Sequence, residues 1–140
     1  TLHVPIPFAM RLLLYLQKHK DYICLEATIS LIKGDADEIM ELINERKKRR
    51  IETQPLEYPS AGSVFRNPEG EFAGKLIEDS GLKGKKHGGA MISDKHANFV
   101  INYDNASAED IKYLIDLAHD TVLKNYDIDM KIEQEFVNWE

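Results

Sequence analysis

Cysteine occurs once in the 140 residues, at Cys24, which excludes an intrachain disulfide and leaves nothing to point to an oxidising compartment. Within a strand-like run, a lone small thiol reads as buried packing rather than as a nucleophile. Basic charge is scarce as well. Eighteen Lys and Arg stand against 24 Asp and Glu, a net charge of −6, the reverse of the basic field that a general nucleic-acid binder carries. The one basic run, Lys47-Lys48-Arg49-Arg50, closes a segment that opens with Asp35, Asp37 and Glu38. That charge order complements a helix dipole and reads as a solvated helix end. No hydrophobic run is long enough for a bilayer. The stretch from Phe8 to Leu16 is broken by Arg11 and lacks the basic start and cleavage site of a signal peptide. Neither nucleic acid nor a membrane is therefore expected as a partner.

The common catalytic signatures are missing too. His3, His19, His87, His96 and His119 show no metal-ligand spacing with one another or with Cys24. Gly70 to Lys75 reads G-E-F-A-G-K, one residue short of a phosphate-binding loop, with Leu76 where Ser or Thr would hold magnesium. No G-x-S-x-G elbow occurs. Hydrophobic residues at 43% and charged residues at 30% suit one soluble globular domain with a core of its own. Thr1 leads directly into V-P-I-P without a helix or strand pattern, so the chain is expected to be a piece of something longer.

The most informative stretch present is Tyr58 to Pro68, Y-P-S-A-G-S-V-F-R-N-P. Pro59 and Pro68 restrict the backbone at its ends, and Gly62 permits conformations closed to other residues. Ser63, Arg66 and Asn67 put a hydroxyl, a guanidinium and a carboxamide on one stiff loop, which suits a substrate that carries phosphate and needs a proton delivered. Composition alone favours a β-turn leading into an edge strand. Ser63 has no local histidine to activate it, so donating a proton fits it better than attacking a carbonyl.

Alternation over Tyr22 to Ile32 predicts a half-buried strand. Asp35 and Glu38 have capping-box spacing ahead of a helix with the stripe Ile39, Leu42, Ile43, fading near Arg50. A shorter helix is predicted over Glu71 to Ser80, with Phe72, Ala73, Leu76 and Ile77 facing the core and Gly81 as its C′ residue. Gly81 to Gly89 reads as irregular, and Gly88-Gly89 suits a plain turn or a close backbone approach to a ligand. Ala90 to Ile92 and Asn98 to Tyr103 read as strands around a polar turn at Asp94 and Lys95. Ser107 caps a long helix with the stripe Ile111, Leu114, Ile115, Ala118, Val122 and Leu123. The end, Ile128 to Val137, reads as a strand with Ile128, Met130, Ile132 and Phe136 on one face and Gln134 as the odd member. Its other face carries Asp129, Lys131, Glu133 and Glu135, either a solvated acidic edge or the place of one catalytic carboxylate. Spacing does not choose between Glu133 and Glu135. The order of elements predicts an α+β fold, a mostly antiparallel sheet covered by helices.

P-L-E-Y-P-S-A-G-S-V-F-R-N-P, A-G-K-L-I-E-D-S-G-L-K-G, G-G-A-M-I-S-D-K-H-A-N-F-V-I-N and I-E-Q-E-F, in this order and spacing, resemble the UDP-N-acetylenolpyruvoylglucosamine reductases. The likeness runs from Tyr22 to the C-terminus and is strongest to the bacterial subgroup with a compact substrate domain. It implies a cytoplasmic flavoprotein of peptidoglycan synthesis. In that family NADPH reduces FAD, and a hydride passes to the enolpyruvyl double bond of UDP-N-acetylglucosamine enolpyruvate to give UDP-N-acetylmuramate. The resemblance assigns the proton donor to Ser63 and a carboxylate-polarising glutamate to Glu133. It assigns diphosphate binding to Asn67 and substrate binding to His96. It further implies that residues 1–21 are a remnant of a preceding flavin-binding region or linker and that 22–140 form the substrate-binding domain.

Three departures stand out. The family's final motif, E-P-E-V-R, aligned on Lys131-Ile132-Glu133-Gln134-Glu135, puts a glutamate where arginine is customary. The F-G-Y-R-x-S segment with a catalytic arginine finds only Phe8 and Arg11 in Phe8-Ala9-Met10-Arg11-Leu12-Leu13. The glycine-rich flavin-binding half has no counterpart, so this chain alone is expected to be inactive. The alternative reading is a non-catalytic UDP-sugar-binding domain that has lost the flavin half.

Overall fold

Capping decides where the helices begin in this computed structural model, which describes residues 32–137. The expected strand from Tyr22, together with Cys24 and Arg11, lies outside the described residues. Helix α1, Ala36–Thr53, starts where the Asp35 carboxylate accepts the N–H groups of Asp37 and Glu38 at 3.0 and 3.1 Å. It opens on Asp37 and Glu38 and closes on Arg50, as the dipole favours, and runs a turn further than the sequence suggests. All of its side chains are exposed, the stripe Ile39, Leu42, Ile43 included. The chain divides into two units, Thr1–Met40 and Glu41–Glu140, and every element and site described below belongs to the second.

Strand β1 is Ser60–Ser63, helix α2 is Ala73–Asp79, and strands β2, β3 and β4 are Lys86–His87, Ala90–Ile92 and Phe99–Asn102. Helix α3, Ala108–Tyr126, follows. The four strands form one antiparallel sheet in the order β1-β4-β3-β2. Ser107 begins α3 with a reciprocal capping box, its hydroxyl accepting from the Asp110 N–H while the Asp110 carboxylate accepts from the Ser107 N–H. This matches the α+β expectation, three helices with an antiparallel sheet among the described residues.

The core joins both helices to the sheet. Ile77 and Leu76 of α2, Ala90 and Ile92 of β3, Val100 of β4 and Leu114, Ile115, Ala118 and Val122 of α3 are buried together with Val64, Phe65 and Met130. Each fully buried Ile or Leu among them contributes about 2 kcal/mol.

Four local expectations are corrected. Phe72, expected in the core, is 67% exposed, because α2 begins at Ala73, two residues later than expected, and turns only Ala73, Leu76 and Ile77 inward. Leu123 falls at the edge of the α3 stripe and is exposed. Within Gly81 to Gly89, Lys86 and His87 pair with Met91 and Ala90 as a short strand. The last segment is not a strand. It makes a single antiparallel bridge, Phe65 to Ile132, and of its predicted apolar face only Met130 is fully buried, with Ile132 and Phe136 exposed. The segment finds one partner over two residues, too little for a ladder.

Candidate functional site

Ser63 sits at the end of an edge strand that is irregular by one residue. Ser60 pairs with Ile101 and Ser63 with Phe99, so three steps along β1 oppose two along β4. Gly62 accommodates the extra residue at φ +85°, a conformation that favours glycine. Such a bulge re-aims the residue that follows it, and Ser63 emerges exposed between an edge strand and a buried pair, Val64 and Phe65.

The last segment reaches this loop through the backbone. The Glu133 N–H donates to the Val64 carbonyl at 2.8 Å, and the Arg66 N–H donates to the Lys131 carbonyl at 2.9 Å. The Gln134 carboxamide donates to the Gly62 carbonyl at 3.4 Å. The backbone of Glu133 is therefore bonded to Val64, the residue that follows Ser63, although 69 positions separate the two in the chain. Beside this junction, Ala61, Ala108, Ile111, Ile115, Glu135 and Phe136 line an open, mostly apolar groove of about 320 Å3.

Asn67 and His96 meet the same turn of α2. The Asn67 Oδ1 accepts the Ala73 N–H at 3.1 Å, so its oxygen holds the start of that helix. The His96 ring lies against Gly74, where an added Cβ would come within 3.0 Å of Cε1. It also meets Phe99 edge-on, with centroids 4.9 Å apart. Burial, the largest influence, pushes the His96 imidazole below its ordinary value and keeps it neutral at neutral pH. Its Nδ1 accepts the Asn98 N–H at 3.2 Å, which leaves the proton on Nε2 as a donor. The hydroxyl of buried Ser93 accepts the N–H groups of Lys95 and His96, fixing the turn that carries this ring.

Ser63 and Glu133 are thus on backbone-paired segments, and Asn67 and His96 share one helix turn. Arg11 lies outside the described residues. Two residues that sequence reasoning did not single out tie these groups together. Gln134, the odd member of the apolar face, bonds to the loop. Asn98, read simply as the start of a strand, is 4% exposed and bonds to His96, Val64 and Phe65. A carboxamide heading the apolar run Phe99-Val100-Ile101 was the available signal.

The glycines of this unit serve the fold itself. A Cβ on Gly89 would lie 2.1 Å from the Asp104 carbonyl, and one on Gly88 would strike the Asp110 carboxylate. The close approaches at Gly89 and Gly88 are to the Asp104–Ala106 backbone and to the Asp110 side chain. Neither of these two glycines offers an open backbone to a flavin pyrophosphate.

The bulged loop, the closing segment and the small antiparallel sheet define a C-terminal domain of the UDP-N-acetylenolpyruvoylglucosamine reductase type, whose family model matches residues 54–137. The chain belongs to that family. It is 54% identical over 111 residues to the UDP-N-acetylenolpyruvoylglucosamine reductase of Clostridium beijerinckii, covering 79% of this chain and 36% of that protein. It is 51% identical over 116 residues to that of Clostridium kluyveri, covering 83% and 38%. The crystal structure of the reductase from Thermus caldophilus superposes with a TM-score of 0.64 at 36% identity, over 76% of this chain and 37% of that one. The chain thus spans under two-fifths of the length of these relatives. Among the described residues, no helix is long and apolar enough to cross a membrane.

Proposed function

We propose that this chain is the substrate-binding part of a cytoplasmic, flavin-dependent reductase of peptidoglycan synthesis. The enzyme converts UDP-N-acetylglucosamine enolpyruvate to UDP-N-acetylmuramate with NADPH as the source of hydride. The observation that carries this reading is the backbone junction of Glu133 with Val64, which brings a carboxylate-bearing segment against the Ser63 loop in a domain of the matching family. FAD would be held outside residues 32–137 and, when bound, would supply the hydride chemistry.

The residues of this chain do the rest. Asn67 and His96, both packed against the first turn of α2, offer an amide and an Nε2–H to the UDP-sugar. Glu133 polarises the enolpyruvyl carboxylate, a role the family resemblance extends to Arg11. Hydride addition leaves an enolate-like substrate, and Ser63 Oγ–H donates its proton to the carbon beside the carboxylate. Donors fixed by a stiff loop need no reorganisation as that charge develops.

The test has two stages. UDP-N-acetylglucosamine enolpyruvate titrated calorimetrically into the 140-residue chain is expected to bind. The chain fused to the remaining N-terminal portion of the Clostridium beijerinckii reductase is then expected to form product, with Ser63→Ala leaving flavin reduction by NADPH intact and abolishing product. No binding by a folded chain sinks a retained substrate site. Binding without turnover in the fusion selects the non-catalytic UDP-sugar-binding alternative.

A further inference from the structure

Asn98 makes four hydrogen bonds from a nearly inaccessible position, and three of them go to the two residues that follow Ser63. Its carbonyl accepts the Val64 N–H at 2.9 Å, its Oδ1 accepts the Phe65 N–H at 2.9 Å, and its Nδ2 donates to the Phe65 carbonyl at 2.8 Å. The fourth joins its own N–H to His96 Nδ1. The side-chain pair copies what a neighbouring strand would offer. It replaces the ladder where β1 has left its register with β4, so the loop does not need to remain flat in the sheet. The backbone groups of Val64 and Arg66 that point the other way are taken by Glu133 and Lys131. Phe65 is therefore gripped by Asn98 on one side and bridged to Ile132 on the other.

We infer that Asn98 is the positioning residue of the site, fixing the Ser63 loop in register with the Glu133 segment and the His96 ring. The inference rests on the roles proposed above for Ser63, Glu133 and His96. A buried carboxamide used at both ends discriminates against its nearest replacement. In Asn98→Asp one oxygen still accepts from the Phe65 N–H, but the other, ionised, opposes the Phe65 carbonyl. Protonated, that oxygen becomes a donor and restores the pair.

The test uses the 140-residue chain, its Asn98→Asp variant, and Ile77→Val, a core control on α2. Amide hydrogen exchange and the affinity for UDP-N-acetylglucosamine enolpyruvate are measured at about pH 8 and about pH 5, values chosen to lie above and below the titration of a buried carboxyl. His96 is the titratable group touching Asn98, so each variant is referred to the wild type at the same pH. In Asn98→Asp at the higher pH, the Phe65 and Glu133 amides are expected to exchange at least about tenfold faster, with affinity falling by a similar factor, and both to recover at the lower pH. Ile77→Val is expected to lower the melting temperature without moving these ratios. Unchanged exchange at Phe65 and Glu133 in the folded variant overturns the inference, as does a loss that merely follows melting temperature as in Ile77→Val. If the wild type does not bind, the proposed function fails, and the exchange ratios still decide whether Asn98 sets the register.

Discussion

His119 and Asp129 are joined through the imidazole Nε2 and a carboxylate oxygen 2.8 Å apart, tying α3 to the segment that carries Glu133. Asp120 meets the other ring nitrogen at 3.0 Å. Hydrogen bonds to Asp129 first, then Asp120, raise the His119 pKa above its ordinary value. A raised folded-state pKa gives stability that is fully present below the unfolded pKa of about 6.5 and is lost as pH rises through the folded value.

The first prediction follows from that sign. His119→Gln keeps a donor but not the charge, so its deficit in melting temperature is expected to be largest below about pH 6 and to vanish in alkaline buffer. With Asp129 78% exposed, the effect is held to about 1 kcal/mol or less, a few degrees. Thermal melts across pH check it. A deficit that grows toward alkaline pH would contradict the ion pairs.

Gly89 supplies a second. Its carbonyl accepts the N–H groups of both Tyr103 and Asp104, and its N–H donates to the Asp110 carboxylate. An added methyl would meet the Asp104 and Ala106 backbone at 2.1 and 2.5 Å, with no side chain able to yield. Gly89→Ala is expected to destabilise by about 3 kcal/mol or more. Gly70→Ala, at φ +76° but in open space, is expected to lose only about 1 kcal/mol. Urea denaturation of the two variants measures the difference, and equal losses would refute the packing argument.

Much of this fold could be read from the sequence because its signals are local. Ser107 caps α3, Gly81 follows the end of α2 at φ +74°, and Ala90–Ile92 is a strand. The failures arise where long-range partners decide. Ile128, Met130, Ile132 and Phe136 alternate as a strand would, yet the sheet has no free edge that matches them for more than one bridge. Phe72 carries an apolar side chain at a helix start, where the entry angle turns it to solvent. The glycine turn that carries Ser63 was legible, and Gly62 takes it at φ +85°. Asn98 was missed, because its loop partners lie 33 and 34 positions away and its one local signal, a carboxamide heading an apolar run, does not show what it binds.

Asn67 permits its contact with α2 to be separated from the diphosphate contact proposed for it. Asn67→Ala removes the acceptor for the Ala73 N–H and is expected to lose about 1 kcal/mol of stability, as helix-cap losses do, together with UDP-sugar affinity. Asn67→Asp keeps that acceptor but sets a negative charge toward the diphosphate. Its stability should stay at the wild-type level while affinity falls at least about tenfold. Melts and titrations of the pair decide. Wild-type affinity in Asn67→Asp would limit the residue to holding α2.

The carboxylate of the last segment is the final question that mutagenesis can resolve. Glu133 is bonded by its backbone to Val64, whereas Glu135 lines the groove with Ala61 and Phe136. The motif E-P-E-V can also be laid on Glu133-Gln134-Glu135-Phe136, which moves its second glutamate to 135 and removes the misplaced charge at that position. Only one of the two is expected to be required, since a second carboxylate beside an anionic substrate would oppose binding. In the fusion enzyme, one of Glu133→Gln and Glu135→Gln should cut product formation by about a hundredfold, with NADPH-driven flavin reduction unchanged in both. The other should remain within about threefold of the parent. A loss in Glu133→Gln places the polarising group beside Val64, and a loss confined to Glu135→Gln moves it to the groove. Mild effects in both would exclude this segment from the chemistry, leaving Ser63 without the carboxylate partner proposed for it.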